Sequence, residues 1–203
     1  MSRTRDVSGV QQRLSEAVFT TLADRGPAGL TLRAVAERAG CTTGLVLHTF
    51  RDKRALLLHA REVLHDRTRV RSDALEAAAG DPVAAVRAVV LGALPTDHER
   101  LAEARVWVGF LAAALGDPVL EERHALNSRA FVDRLTRLLE AGDQGDRGDR
   151  GDRGDASVRA AALVAAVEGV SSLAAGDPER WPPARQAQTL EFVLESTARV
   201  TTG

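Results

Sequence analysis

The sequence predicts an all-α protein of about nine helices. Apolar residues recur every three or four positions through most of the 203 residues. The tripeptide Gly-Asp-Pro stands at residues 80–82, 116–118 and 176–178, between such segments, where glycine ends one helix and proline suits the first turn of the next. Nothing after residue 55 alternates strand with helix patterns. We therefore expect a three-helix N-terminal region followed by a larger helical region.

The first two helices are predicted by their apolar spacing and by their ends. A helix over about residues 7–25 should stop at Arg25-Gly26-Pro27. A second helix over residues 32–39 has one apolar face, preceded by Thr31 as N-cap. Gly40 follows it directly, where a left-handed residue commonly ends a helix.

A third, short helix over residues 43–50 is predicted after this turn, with Thr42 as its cap. Val46 and Phe50 are four positions apart and should face inward, so the outer face carries Thr43, Leu45, Leu47 and His48. Two helices joined by a short glycine-containing turn are typical of a helix-turn-helix, whose second helix enters the DNA major groove. Arg51, Lys53 and Arg54 follow and suit phosphate contacts. An ordinary pair of packed helices is the alternative.

The charge distribution agrees with a DNA-binding N-terminal region. Residues 1–56 hold nine basic and five acidic side chains, a net charge of +4, and the remainder carries −5. A basic unit on an acidic body fits a polyanion-binding head with a regulatory domain. We expect the head at residues 1–54 and the body at residues 55–203.

The run from residue 29 to residue 57 resembles the DNA-binding domain of TetR-family transcriptional regulators. The resemblance lies in Leu-Thr-Leu-Arg at residues 30–33, Ala-Gly at residues 39–40, and a short helix ending in Phe50 with Lys53 three residues later. It implies DNA contacts from the following residues: Thr31, Arg33, Thr42, Thr43, Gly44, Leu45, Leu47, His48 and Lys53.

Within that set the resemblance assigns separate roles. Thr31, Thr42, His48 and Lys53 match phosphate contacts, and Arg33, Thr43 and Leu45 match positions near base edges. Leu47 replaces a common tyrosine and Thr49 a histidine or tyrosine, so this helix should hold the phosphates differently from its relatives.

The body should contain six further helices. Their expected bounds are about residues 53–79 (capped by Asp52), 82–94, 97–115 (with Thr96 and Glu99 as a capping box), 119–141, 156–175 and 184–201. A Gly-Asp-Arg repeat lies between the helices expected at residues 119–141 and 156–175. It contains no apolar residue and should therefore form a disordered linker at residues 142–155.

The resemblance implies an effector cavity and a dimer interface in this body. Trp107, Phe110 and Leu111 share one helix face, and His124 and Asn127 could add polar groups; plain core packing is the alternative. His48 together with the run around Trp107 resembles the betaine-pathway subgroup, but a chain without tyrosine offers little for an aromatic cage, so no effector is assigned. The expected dimer interface comprises Ala162, Ala165, Gly169, Leu190 and Leu194, unless these two helices close a monomeric core.

No catalytic, cofactor or metal site is expected. The five histidines are scattered, Cys41 is the one cysteine, and no phosphate-binding or nucleophile motif occurs. With no export signal or long apolar run, we expect a cytoplasmic protein without a membrane partner. The sequence therefore predicts a homodimeric regulator of a double-stranded DNA operator, responsive to a small-molecule effector. The alternative is a helical ligand-binding or scaffold protein with a vestigial head.

Overall fold

The protein is helical throughout the part that the structure describes. A computed structural model describes residues 2–145 and 155–198, without the side chains of residues 2–8, 145 and 198. Within these ranges no strand occurs, and the nine helices are α1 (Ser2–Gly29), α2 (Leu32–Ala39), α3 (Thr43–Thr49), α4 (Lys53–Ala78), α5 (Pro82–Gly92), α6 (His98–Ala114), α7 (Pro118–Gly145), α8 (Ala156–Gly176) and α9 (Pro183–Ala198). The all-α prediction is confirmed.

Helix α1 contains a break where the sequence predicted its end. Gly26 has φ 64° and ψ −176°, which is not helical, and Pro27 begins a short second segment. The N–H of Leu30 closes this segment on the carbonyl of Gly26 at 3.1 Å. The signal for a break was right, but the helix continues to Gly29 because proline is tolerated in a first turn.

The chain forms two compact units, neither of which follows the predicted boundary at residue 54. The first comprises Met1–Asp66 with Ala102–His124, and the second comprises Arg67–Leu101 with Ala125–Gly203. The difference arises because α4 runs without interruption past residue 54, and because part of α6 and the start of α7 belong to the first unit.

The core of the first unit joins the helix-turn-helix to the inner faces of α1, α4 and α6. Its fully or nearly buried members include Leu14, Val18, Leu22, Val35, Val46, Leu56, Val106 and Phe110. Helix α6 comes close to α1 at Gly109, where an added Cβ would lie 3.3 Å from Leu22 and 3.4 Å from Pro27. A larger residue there would require Leu22 to shift by a few tenths of an ångström, so glycine permits this close packing.

The core of the second unit is made by α5, α7, α8 and α9. Its buried side chains include Val86, Val89, Val90, Leu135, Leu163, Val167 and Leu190. By length and composition α8 could cross a membrane, but the core helix of a soluble protein meets the same criterion. Eight side chains of α8 are buried within the fold, so it serves here as a core helix.

Two sequence predictions in the second unit are wrong. Asp97, rather than Thr96, caps α6, because its carboxylate accepts the N–H of Arg100 at 2.8 Å. Helix α7 continues to Gly145, so the expected linker cannot begin at residue 142. The helix end is held by an ion pair between Arg159 of α8 and Asp143. The rest of the Gly-Asp-Arg repeat, residues 146–154, lies outside the described residues.

Candidate nucleic-acid interface

The turn between α2 and α3 has the expected geometry. Thr31 is extended and its hydroxyl accepts the N–H of Ala34 at 3.1 Å. Gly40 has φ 63° and ψ 39°, the left-handed conformation that glycine adopts without strain. The N–H of Cys41 then returns to the carbonyl of Ala36 at 3.0 Å. The capping predictions for Thr31 and Gly40 are confirmed.

Helix α3 presents its first turn to solvent. The hydroxyl of Thr42 accepts the N–H of Leu45 at 3.3 Å, which confirms it as the cap. Val46 is buried and Phe50 nearly so, which places the opposite face outward. Thr43, Gly44, His48 and Leu47 are exposed, Leu47 by 51%. Leu45, which was also predicted on the outer face, is half-buried rather than exposed, because it packs against the core of the first unit.

Two cations beside this helix have no ion-pair partner among the described residues, whereas two others are neutralised. Arg33 and Lys53 are exposed. Arg38 instead pairs with Asp24 at 2.6 Å, and Nε of Arg54 donates to Asp117 at 2.8 Å. One nitrogen of the Arg54 guanidinium is therefore engaged by an acid distant in sequence, while the side chain remains 52% exposed.

Asp52 starts α4 immediately before Lys53. Its Oδ1 accepts the N–H of Ala55 at 2.9 Å, and this hydrogen bond, with smaller contributions from Arg51 and Arg54, lowers the pKa of the carboxyl. The carboxylate thus caps the helix in its charged form. Asp52 thereby fixes the first turn of α4, which carries Lys53.

His59, which sequence reasoning missed, packs against Phe50 at the end of α3 and bonds to α1. Its Nε2 is hydrogen-bonded to the hydroxyl of Ser15 on α1 at 2.8 Å, and its ring lies 5.0 Å from that of Phe50. Burial lowers the pKa of His59, so the neutral ring is favoured. No local pattern could reveal this role, because Ser15 is 44 positions away.

The residues expected to line an effector cavity lie mainly inside the first unit. Phe110 is fully buried, and Trp107 packs half-buried against the same core. Leu111 is half-buried. The guanidinium carbon of Arg61, a buried side chain that sequence reasoning missed, is 5.9 Å from the centre of the Phe110 ring.

His124 and Asn127 both carry a buried polar atom. Nδ1 of His124 has no hydrogen-bond partner among the described residues, and burial together with the charge of Arg61 lowers the pKa of this histidine. Nδ2 of Asn127 is likewise buried without a partner in the described part of the chain, but Asn127 belongs to the second unit.

The expected dimer residues divide by exposure. Ala162, Ala165 and Gly169 lie exposed on one face of α8. Leu190 is 0% exposed in the core of the second unit, so its side chain is unavailable to a partner; Leu194 is half-buried. Sequence reasoning missed Phe192, which is 72% exposed two residues after Leu190 on the opposite side of α9.

No metal-binding group was found where the structure describes the chain, taking three or more His, Cys, Asp and Glu side chains as the minimum.

Comparison with known proteins places these features in a family. The family described as BetI-type transcriptional repressor, C-terminal, matches residues 82–199, and the family described as Bacterial regulatory proteins, tetR family, matches residues 16–60. A regulator named HTH-type transcriptional regulator BetI from Paraburkholderia xenovorans is 33% identical over 124 residues, which cover 61% of this chain and 64% of the relative. Its namesake from Pectobacterium atrosepticum is 30% identical over 128 residues, covering 62% and 66%. The chain thus spans a little under two thirds of the length of these relatives.

Solved structures match over nearly the whole chain. A transcriptional regulator from Rhodococcus sp. Rha1 has a TM-score of 0.82 at 30% identity, covering 94% of this chain and 96% of that one. A regulator from Saccharomonospora viridis in complex with choline has a TM-score of 0.84 at 18% identity, covering 93% and 96%. FadR from Bacillus subtilis in complex with stearoyl-CoA has a TM-score of 0.74 at 15% identity, covering 95% and 100%. The last two likenesses concern the fold alone.

Because the BetI-type family covers more than half of the chain and the tetR family covers the helix-turn-helix, this protein belongs to the TetR family of transcriptional regulators, with a C-terminal region of the BetI type.

Proposed function

We propose that the protein is a homodimeric repressor that binds a palindromic operator in double-stranded DNA and is released from it by a small molecule. The observation that carries this proposal is the exposed first turn of α3, flanked by Arg33 and Lys53, two exposed cations without an ion-pair partner in the described part of the chain. Such a regulator acts in the cytoplasm and needs no catalytic site. Its family membership supports the same function.

The caps of α2 and α3 suit phosphate binding as well as helix formation. The hydroxyls of Thr31 and Thr42 each accept a backbone N–H. A hydroxyl accepts through lone pairs and has a separate O–H to donate, so each can cap its helix and still donate to a phosphate oxygen. Lys53 and His48 would add charged or polar contacts at the other end of α3, and these contacts set register rather than sequence preference.

Sequence preference would come from Thr43, Gly44, Leu45 and Arg33. The first three lie at the start of α3, the part of a recognition helix that approaches base edges. The hydroxyl of Thr43 can bind any of several base edges, and the outer methyl groups of Leu45 suit a thymine methyl group. Arg33 can donate twice to guanine.

Dimerisation would use the exposed apolar surface of α8 and α9. The α8 stripe of Ala162, Ala165 and Gly169 is flanked by Val158, which is 65% exposed, and Phe192 projects from α9. Contiguous exposed apolar surface marks interaction sites, and a dimer would place two recognition helices on paired half-sites. Phe192→Asp should therefore give a monomer in analytical ultracentrifugation and abolish tight operator binding. The matched control is Val83→Asp, which changes an equally exposed residue of α5 and should stay dimeric.

The effector is proposed to be a neutral or acidic amphipathic molecule rather than choline. The guanidinium carbon of Arg61 already lies 5.9 Å from the centre of the Phe110 ring, one of the two aromatic rings of the expected cavity. A quaternary ammonium would have to compete with arginine at this ring, and the chain has no tyrosine to supply another. Choline and stearoyl-CoA, the ligands of two structural neighbours, are the probes for this point. Release of operator by choline but not by stearoyl-CoA would contradict the assignment.

The decisive experiment measures binding to the DNA upstream of the protein's own gene by fluorescence anisotropy across a salt series. A regulator should bind this DNA at least about 10³-fold more tightly than unrelated DNA, with affinity falling steeply as salt rises. Lys53→Ala should weaken binding to every sequence and reduce the salt slope by about one, whereas Thr43→Ala should also change sequence preference. Arg129→Ala, which removes an exposed cation of α7, is the control and should do neither.

If the wild-type protein bound its upstream DNA no more tightly than unrelated DNA, the proposal would be rejected. The result would favour the alternative of a helical ligand-binding or scaffold protein with a vestigial head. Equal effects of Lys53→Ala and Thr43→Ala on all sequences would leave DNA binding in place but refute the separate roles of these two residues.

A further inference from the structure

The adjacent cations Lys53 and Arg54 have different surroundings. Lys53 is exposed and has no ion-pair partner within the described residues. Arg54 instead directs Nε to Oδ2 of Asp117 at 2.8 Å, across 63 positions of sequence. The Asp117 side chain is only 22% exposed, so its charge is better shielded from water than that of a surface acid. Of these two neighbouring cations, Arg54 therefore forms an ion pair within the protein, whereas Lys53 is directed to solvent.

Asp117 is itself held in place by the turn between α6 and α7. Its Oδ1 accepts the N–H of Val119 at 3.2 Å and caps α7, while its own N–H bonds the carbonyl of Ala114 at 2.9 Å. Gly116 precedes it with φ 91°, and its N–H bonds Oε1 of Glu121 at 2.9 Å. Both carboxylate oxygens of Asp117 are therefore used, one for α7 and one for α4.

The ion pair joins the starts of two long helices beside an open cleft. The cleft has a volume of about 580 Å³, and its lining includes Pro27, Leu57, Ala113 and Leu120 as well as both members of the pair. Leu57 and Leu120 pack in the core one turn beyond the pair. On this side, the first turn of α4 borders the open cleft. The ion pair is thus a direct link from that turn to the α6–α7 turn.

We propose that Arg54 and Asp117 are positioning residues for operator binding: their ion pair sets the place of the first turn of α4, and with it Lys53 and the end of α3, while Arg54 does not contact DNA. This inference rests on the proposed operator binding. It links the α6–α7 turn to operator binding, because a change at Asp117 that breaks the ion pair would free the first turn of α4, which carries Lys53.

The test compares Arg54→Gln, Asp117→Asn and the double variant. Asparagine still accepts the N–H of Val119, so Asp117→Asn removes the charge without removing the cap. Each single change should weaken operator binding about two- to fivefold, the range for a partly exposed ion pair. The double variant should be no weaker than either single one, and the salt slope should stay that of the wild type. Arg129→Gln, at an exposed cation of α7, is the matched control for lost charge and should leave operator affinity and the salt slope unchanged.

A phosphate contact by Arg54 predicts a different pattern and would overturn the inference. In that case Arg54→Gln would reduce the salt slope by about one, as Lys53→Ala does, and Asp117→Asn would strengthen binding by freeing the guanidinium.

A second readout does not depend on DNA. Amide hydrogen exchange at residues 55–57 should become faster in both single variants than in the wild type. Unchanged exchange in both would overturn the positioning role. If the wild-type protein showed no specific DNA binding, the proposed function would fail while this measurement still decided whether the pair positions α4.

Discussion

Replacing Gly44 by alanine should stabilise the protein and weaken its binding to operator. Gly44 is the second residue of α3 and is exposed. An added Cβ would meet only the hydroxyl oxygen of Thr42, at 3.9 Å, which is an ordinary van der Waals contact. The free protein therefore accepts the methyl group without movement. An operator approaching the first turn of α3 would meet it directly.

The two effects have different magnitudes. Alanine in a helix is more stable than glycine by about 0.5–1 kcal/mol, so the free energy of unfolding should rise by up to that amount. A methyl group added to a closely packed contact costs about 1–3 kcal/mol. Operator affinity should accordingly fall by at least about fivefold, since 1.4 kcal/mol corresponds to a factor of ten.

Urea unfolding measures the first effect and fluorescence anisotropy with labelled operator DNA the second. Gly176→Ala is the control, because Gly176 ends α8, has open space around an added Cβ, and lies far from the head in sequence. It should leave operator affinity unchanged. Unaltered affinity in Gly44→Ala would show that the backbone of Gly44 does not approach DNA, and lower stability would contradict the helical geometry at this position.

Three further predictions concern the helix-turn-helix and the partly buried histidines His59 and His124. Gly40→Ala should lower the free energy of unfolding, measured by urea titration, by about 1–2 kcal/mol, because Gly40 has φ 63° and backbone strain alone opposes the new Cβ. Gly40→Asn should lower the free energy of unfolding by less, because asparagine adopts the left-handed conformation more readily than alanine. Thr42→Ala should lower the free energy of unfolding by about 1 kcal/mol, because it removes the acceptor for the N–H of Leu45, whereas Thr42→Ser keeps the acceptor and should lower it much less. Since burial lowers the pKa of His59 and of His124 below the ordinary 6.5, their contribution to stability is present above that pH and is lost as the pH falls through the lowered pKa values. The melting temperature should therefore drop between about pH 7.5 and about pH 5.5, less so in His59→Gln, and a melting temperature that rises on acidification would contradict this.

Local signals in the sequence predicted the helix-turn-helix closely. A cap needs only a hydroxyl or carboxylate three residues before the N–H that it accepts, so Thr31, Thr42 and Asp52 could be recognised by position. Gly40 was recognisable because a left-handed residue is nearly confined to glycine. These features depend on a few consecutive residues, and the structure has each of them.

Features that depend on distant residues were missed. The ion pair of Arg54 with Asp117 and the hydrogen bond of His59 with Ser15 bring together positions 63 and 44 apart, which no periodic pattern reveals. The stretch of α9 that contains Leu190 alternates apolar and polar residues too closely for spacing to decide which side faces inward. Packing against the other helices of the second unit determines which side faces inward, and it buries Leu190 and exposes Phe192.

The close approach at Gly109 determines how α6 can move. A side chain between two helices can change rotamer and absorb a shift, but here the backbone of α6 lies against Leu22 and Pro27 with no side chain of its own between them. A displacement of α6 toward α1 must therefore be taken up by the side chain of Leu22 or passed to the ring of Pro27. Pro27 lies four residues before Thr31, so the part passed to Pro27 acts on the segment that leads into the helix-turn-helix. The missing side chain of Gly109 thus couples α6 to that segment.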